Sequence, residues 1–299
     1  MKRLFSILLL LLLLSLSVKA QLLYKISGNG LANESYIIGT HHLTSITFLE
    51  DHVEGFQKAF DACDYVYGEM LMDEQSLQKT QSLIQTVALM PKDTLYKDLV
   101  SADEYAFLDS QIKRYLGESA SMDNLAMLKP AIISTTLAQV ASSKTGEQIN
   151  PQKVMDLQLQ RKASDNNMSV HGLETAEYQV EVLFGDPLQV QASTLIRSLK
   201  DNDLVEELKK LNALYKKQDL EALFNYAEES AKRGAKDDEE LDTTMNKLLY
   251  KRNHNWSAQM PQILSKGATF IAVGAGHLGG KSGILSLLRE QGYTVTPVK

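Results

Sequence analysis

The sequence predicts an α/β (α+β) fold. Its centre is a mixed sheet built from two strand–loop–helix–strand units at the ends of the chain, with a large helical insertion at about 74–265. Three observations predict it. Ser35–Ile38 is a short apolar strand that runs into Gly39-Thr40-His41-His42. Thr269–Val273, richer in β-branched and aromatic residues, runs into Gly274-Ala275-Gly276-His277. Both have the content of buried strands, and each leads through a loop and an apolar-faced helix to another strand, the ingredient of a parallel sheet. Between the two units, apolar residues recur at helical spacing.

Taken in order, the chain opens with Lys2 and Arg3, an apolar run Leu4–Val18, and small residues around Ala20. That is the pattern of a cleaved secretory signal peptide over residues 1–20, and the run is short for a membrane span. The expectation is an exported protein, periplasmic or extracellular, with a single domain over 21–299. No cysteine follows Ala20 and no later stretch is long and apolar, so no membrane anchor is expected after cleavage. The chain carries 31 basic and 37 acidic residues, net −6. It grows more acidic once Lys2, Arg3 and Lys19 leave, so nucleic acid is not an expected partner. Cys63 is the one cysteine, which excludes an intramolecular disulfide and reads as a small buried thiol.

Leu22–Ser27 and Glu34–Ile38 flank Gly28-Asn29-Gly30 and read as a β-hairpin. After His42, Val53, Phe56, Phe60 and Cys63 share one helical face, and Tyr65-Val66-Tyr67 is a strand ending in Gly68-Glu69. Helices are expected over Glu74–Met90, Glu104–Leu116 (capped by Ser101 with Glu104 as a capping box), Ala131–Ala141 and Pro151–Ala163. Ser169–Gly172 is a strand followed by Leu173-Glu174. Pro187–Lys200, Asp203–Lys217 and Leu220–Arg233 are amphipathic helices. A long helix spans about Leu241–Leu264, with a possible break at Pro261. After His277, Ile284–Leu288 is a helix, Gly292 its cap, and Tyr293–Val298 a strand.

If both units share one sheet, His42 and His277 emerge at the same strand edge and can meet. Histidine is the commonest metal ligand and the usual acid–base residue near neutrality. His42 has the matched spacing; His41 should point to the other side. Glu69 and Glu174 each close a short strand, and the carboxyl ends of parallel strands gather where ligands bind. Glu174 also reads as the start of a helix, where an acid is favoured for other reasons. Two histidines with one or two glutamates make a first shell for manganese, cobalt or zinc, leaving a water as nucleophile. Arg252 falls on an apolar stripe of Met245, Leu248, Leu249, Trp256, Met260 and Ile263. Buried arginine needs a partner or an anion, although a snorkelling stem would also suit that position. In a functional role Arg252 would pair with a carboxylate or stabilise an oxyanion, and Asn253 could offer an amide to substrate. Asp156 could face the site or solvent. His52, His171 and His254 have no matched partner.

Several segments together resemble the TraB/GumN family: Leu23–Ile26, Gly39–His42, the strand ending in Glu69, Leu128-Lys129-Pro130, Gly172–Thr175, Arg252-Asn253-x-x-Trp256, Val273–Leu278 and Gly292-Tyr293. The resemblance spans nearly the whole mature chain in order. That family is similar to the Tiki proteins, membrane-anchored metal-dependent proteases that clip Wnt ligands. More distantly it resembles the erythromycin esterases and haem-binding ChaN-like proteins. The resemblance implies a divalent metal, manganese or cobalt foremost, and hydrolysis. His42 and His277 match the motif histidines, Glu69 the acid after the second strand, Arg252 the late arginine and Glu174 a recurrent glutamate. The sequence departs from the Tiki pattern in having no carboxy-terminal anchor, and in having His41 where an aliphatic residue is usual.

The functional expectation is therefore an exported divalent-metal-dependent hydrolase, a peptidase first, acting on a peptide or small-molecule substrate. His42, Glu69 and His277 would hold the metal, and Glu69, Glu174, Arg252 and Asn253 would carry the chemistry. The alternative is a non-catalytic peptide- or haem-binding protein using the same cleft.

Overall fold

The structure, a computed structural model, describes residues 21–146, 154–200 and 203–298. The expected leader and the expected helix start at Pro151 lie outside them. Six strands form one mixed sheet: β1 (Leu23–Gly28), β2 (Ser35–Thr40), β3 (Tyr65–Gly68), β4 (Ser169–Gly172), β5 (Thr269–Gly274) and β6 (Tyr293–Pro297). Their order is β4-β3-β5-β2-β1-β6. β2, β5, β3 and β4 are mutually parallel, while β1 runs antiparallel to both β2 and β6. The two end units thus meet in one sheet, β5 lying between β2 and β3.

The central parallel strand β5 is buried on both faces, which is why Phe270, Ile271 and Val273 show no alternation of exposure; the edge strand β4 is not. Helices after β2 are α1 (Thr47–His52) and α2 (Phe56–Asp61). The sequence suggested one helix there. Gly55, at φ 76°, splits it in two, yet Val53, Phe56, Phe60 and Cys63 are all buried. Burial pushes the Cys63 thiol up to about 12, as suits an inert core residue.

The insertion runs through α3 (Glu74–Val87), α4 (Ala102–Leu116), α5 (Met122–Leu125), α6 (Pro130–Ser143), α7 (Met155–Asp165), strand β4, α8 (Ala176–Phe184), α9 (Leu188–Lys200), α10 (Leu204–Lys216), α11 (Leu220–Gly234), α12 (Asp238–Met245) and α13 (Lys251–Leu264). α14 (Ile284–Glu290) belongs to the second end unit. Ser101 and Glu104 form the expected capping box of α4. A second apolar cluster, with Tyr96, Ile112, Ile133, Leu137 and Leu195 among its members, gives α4, α6 and α9 a core of their own beside the sheet's. Buried Tyr215 of α10 ties this helical layer to the sheet by donating to the Gly39 carbonyl, 2.9 Å away.

The last long helix differs from its sequence reading at two points. A π-helical turn, Asn246–Tyr250, separates α12 from α13. Its wider turn re-phases the apolar stripe, so Leu248 is 36% exposed while Arg252 is only 7% exposed. Pro261 does not break α13. The Ser257 carbonyl, one turn back, which a proline at 261 cannot bond, accepts from Gln291 Nε2 at 2.9 Å. Among the described residues no helix is long and apolar enough to cross a membrane.

Candidate functional site

The carboxyl ends of β2, β3, β4 and β5 lie side by side, and the residue types expected at this edge converge there. Pairing sets Gly39 opposite Val273 and Thr40 opposite Gly274. The two Gly-x-x-His segments are therefore staggered by one residue, and their histidines reach the site differently.

His277 sits on a short 3-10 turn, Ala275–His277, and is 5% exposed. Its protonation follows from its neighbours. Asn253 Nδ2 donates to the Ser282 carbonyl at 2.8 Å, which turns Asn253 Oδ1 toward His277 Nδ1 at 2.7 Å. An amide oxygen can only accept, so Nδ1 carries the hydrogen and Nε2 presents its lone pair. That lone pair accepts from Arg252 Nη1 at 3.1 Å. Burial, with Arg252 and His42 adding to it against Glu69, lowers the His277 pKa to about 4. The ring is neutral at pH 7.

His42 has 63% of its side chain open to solvent. Its Nδ1 donates to Asp156 Oδ2 at 2.8 Å, while Thr40 Oγ1 donates to Asp156 Oδ1 at 2.7 Å. The Asp156 carboxylate, through its charge and its hydrogen bond and with Glu69 adding to it, raises the His42 pKa to about 9. His41 points away, edge-on to Tyr215 at 5.0 Å between ring centroids. Of the adjacent pair, His42 is the one at the site.

Arg252 is the hub. Its Nε and Nη2 form a two-pronged bond with Glu174, 3.1 and 2.7 Å; Nη2 also donates to Glu69 Oε2 at 2.7 Å; Nη1 donates to the Leu248 carbonyl and His277 Nε2, both at 3.1 Å. All five N–H groups are committed, and the guanidinium lies 4.6 Å from the Trp256 ring centroid. The buried arginine is thus paired rather than snorkelling. Trp256 is core, as its position suggests, and its Nε1 donates to Glu174 Oε2 at 3.2 Å. Thr175, not Glu174, caps α8, which frees Glu174 for Arg252.

Glu69 Oε1 accepts from the Gly274 N–H at 2.8 Å. Burial opposes its charge, but His277, His42, Arg252 and that N–H together hold the carboxyl down at about 2. Because His277 is neutral at pH 7, the holding there falls to His42, Arg252 and the N–H. Burial raises Glu174 instead, with Arg252 opposing it and Glu69 adding to it.

Two residues that carry the site's framework were missed in the sequence. Gln160 of α7 accepts from the Met72 N–H and donates to the Met70 carbonyl, both at 2.8 Å, pinning the loop that follows Glu69. Gln179 of α8 reaches both Glu69 Oε2 at 3.4 Å and Glu174 Oε1 at 3.3 Å. Asp156 and Gln160 are one turn apart on α7, and that i, i+4 spacing ahead of an acidic strand end was the available signal.

Of these groups, His42, Glu69, Asp156, Gln160, Gln179 and Arg252 line a cleft of about 430 Å³. A Cβ on Gly274 would stand 3.1 Å from Glu69 Oε1 and 3.6 Å from both His42 Nε2 and His277 Cδ2. The absent side chain leaves a small cradle among three of the expected metal ligands. Two imidazoles and a carboxylate suit a divalent ion there by donor chemistry. Yet among the described residues no three His, Cys, Asp or Glu side chains are drawn together as a coordination shell. His277 Nε2 is 3.7 Å from Glu69 Oε1, and Arg252 holds both.

The model of the TraB/PrgY/gumN family matches residues 22–297. The chain belongs to that family. The match covers every strand of the described sheet, so this TraB/PrgY/gumN protein carries both Gly-x-x-His segments and Arg252 within the family's span. No curated protein and no solved structure matches the chain.

Proposed function

We propose that this protein is an exported, divalent-metal-dependent hydrolase that cleaves an amide or ester bond, a peptide bond foremost. One observation carries the reading: His42 Nε2, Glu69 Oε1 and His277 border the cradle at Gly274, and His42 and Glu69 also line the adjoining cleft. His42, Glu69 and His277 would hold the ion, with manganese or cobalt ahead of zinc. Such an ion would supply a polarised carbonyl and a water of lowered pKa.

The chain's own residues do the rest. Asp156 aims His42 and keeps a proton available at its solvent-open ring. Binding at His42 Nε2 therefore releases a proton, and affinity should rise with pH. Asn253 fixes the tautomer of His277, a supporting role rather than a contact to substrate. Arg252 keeps Glu69 ionised; for His277 to serve, its Nε2 must give up the Arg252 Nη1 donor. Gln160 and Gln179 hold the two glutamate-bearing loops in place. The test is calorimetry of the mature protein with manganese, cobalt and zinc, beside cleavage of a peptide library. Saturable metal binding lost in His42→Ala and His277→Ala, with cleavage that depends on it, is expected. No binding and no cleavage would sink the reading.

A second reading has its own support. Arg252 has no N–H left for an oxyanion, which suits a cleft that binds peptide without cutting it. Saturable peptide binding, unchanged in Glu69→Gln and never followed by cleavage, would favour it.

A further inference from the structure

We infer that the cleft selects a substrate with a large, flexible, uncharged apolar side chain, methionine- or leucine-like, next to the group that faces His42 and Glu69. The inference rests on the cleft being a substrate site, as proposed above. One wall is Met70 and Met72, on the loop after Glu69; the other is Val182 and Leu183 of α8, with Val154 at the start of α7. Leu183 is 52% exposed although it lines a cavity, so a ligand that covers it removes apolar surface from water.

The polar lining is already occupied with itself. Asp156 holds His42, and Arg252 holds Glu69. Gln160 is spent on Met70 and Met72, and Gln179 on the two glutamates. Among the described lining residues, the one charged donor still facing solvent is His42 Nε2, beside the Gly274 cradle; the Met70, Met72, Val154, Val182 and Leu183 walls carry no charge. Pressing a charged side chain against those walls would desolvate it without repayment. An apolar side chain meets no such penalty, and two thioethers can re-pack around straight and branched chains alike. Apolar pockets of this kind discriminate weakly among aliphatic side chains and strongly against charged ones.

The test uses the mature protein without added metal and three probes blocked at both ends: the N-acetyl methylamides of methionine, glutamate and lysine. Binding is followed by methyl NMR of methionine-labelled protein. The methionine probe should shift the Met70 and Met72 methyls and bind at least about tenfold more tightly than the charged probes. Leu183→Asp, a change at an exposed position, should weaken the methionine probe about tenfold and leave the unfolding midpoint nearly unchanged. Equal binding of all three probes, or methionine binding indifferent to Leu183→Asp, would overturn the inference. Cleavage assays separate its fate from that of the hydrolase reading. Probe selectivity without any peptide cleavage would fail the hydrolase and keep the pocket. Cleavage that prefers charged residues beside the cut would fail the pocket and keep the hydrolase.

Discussion

His42 and His277 end segments of identical spacing after adjacent parallel strands, yet one imidazole stands in solvent beside a carboxylate and the other is buried beside an amide and a guanidinium. The same contrast extends to the glycines. A Cβ on Gly39 would lie 3.0 Å from Ala275 Cα, so that glycine serves packing between β2 and the turn after β5. A Cβ on Gly274 would point into the site. The one-residue stagger of the strands separates the two roles, and the partner's chemistry then sets opposite proton affinities. A repeated motif in sequence therefore marks position, and the neighbours supplied by the insertion decide function.

The largest effect should come from removing the group that joins the two buried carboxylates to His277. Arg252→Met leaves Glu69 and Glu174 buried and unpaired, and is expected to cost about 3–5 kcal/mol in urea unfolding. A loss under about 1 kcal/mol would show that the cluster is not held as described.

Next is acid. The folded protein refuses a proton at His277 until about pH 4, whereas the unfolded chain takes it up near 6.5. The His277 contribution to stability should be full above about pH 6.5 and fall by on the order of 3 kcal/mol down to about 4, at ~1.4 kcal/mol per unit. Glu69, depressed to about 2, extends the decline below the ordinary carboxylate range. His277→Gln should flatten the upper part of that curve; an unaltered slope between pH 6.5 and 4 would place the titration elsewhere.

The glycine contrast offers a paired test. Gly39→Ala should destabilise by about 1–3 kcal/mol through crowding at Ala275. Gly274→Ala, at φ −49° and ψ 135°, should change stability by less than about 1 kcal/mol while abolishing ligand or metal binding in the cradle. Equal destabilisation by both, with binding intact, would erase the distinction.

The smallest effect belongs to His42. Its pKa is raised, so its contribution is present below about pH 6.5 and lost as pH climbs toward 9. Asp156→Asn should bring the ring's NMR titration back toward an ordinary imidazole with little change in unfolding midpoint. A titration that does not move would remove Asp156 as its cause.

The sheet was legible because buried parallel strands ending in Gly-x-x-His and Gly-Glu announce themselves in a few residues. Arg252 was legible as a charge on an apolar stripe, although that stripe was read through a π-helical turn it cannot cross in phase. Asp156 stayed open because a single acid on an amphipathic helix looks the same whether it faces solvent or a histidine more than a hundred residues away. Gln179 gave no sign and Gln160 only its one-turn spacing from Asp156, since neutral amides are common on helix surfaces and their hydrogen bonds depend on tertiary placement. The split after His42 follows from Gly55 within the local pattern, whereas the uninterrupted Pro261 was decided by Gln291, a neighbour outside it.

The pairing of β1 with β6 has one more consequence. Leu23 opens β1 next to Ile38, and Pro297 closes β6 next to Tyr24. Both ends of the described chain therefore emerge on the rim where the parallel strands finish, with β6 about two strand spacings, roughly 10 Å, from β2. Anything fused to either end, whether a dye, a tag or an immobilising surface, will hang from the same rim as the cleft.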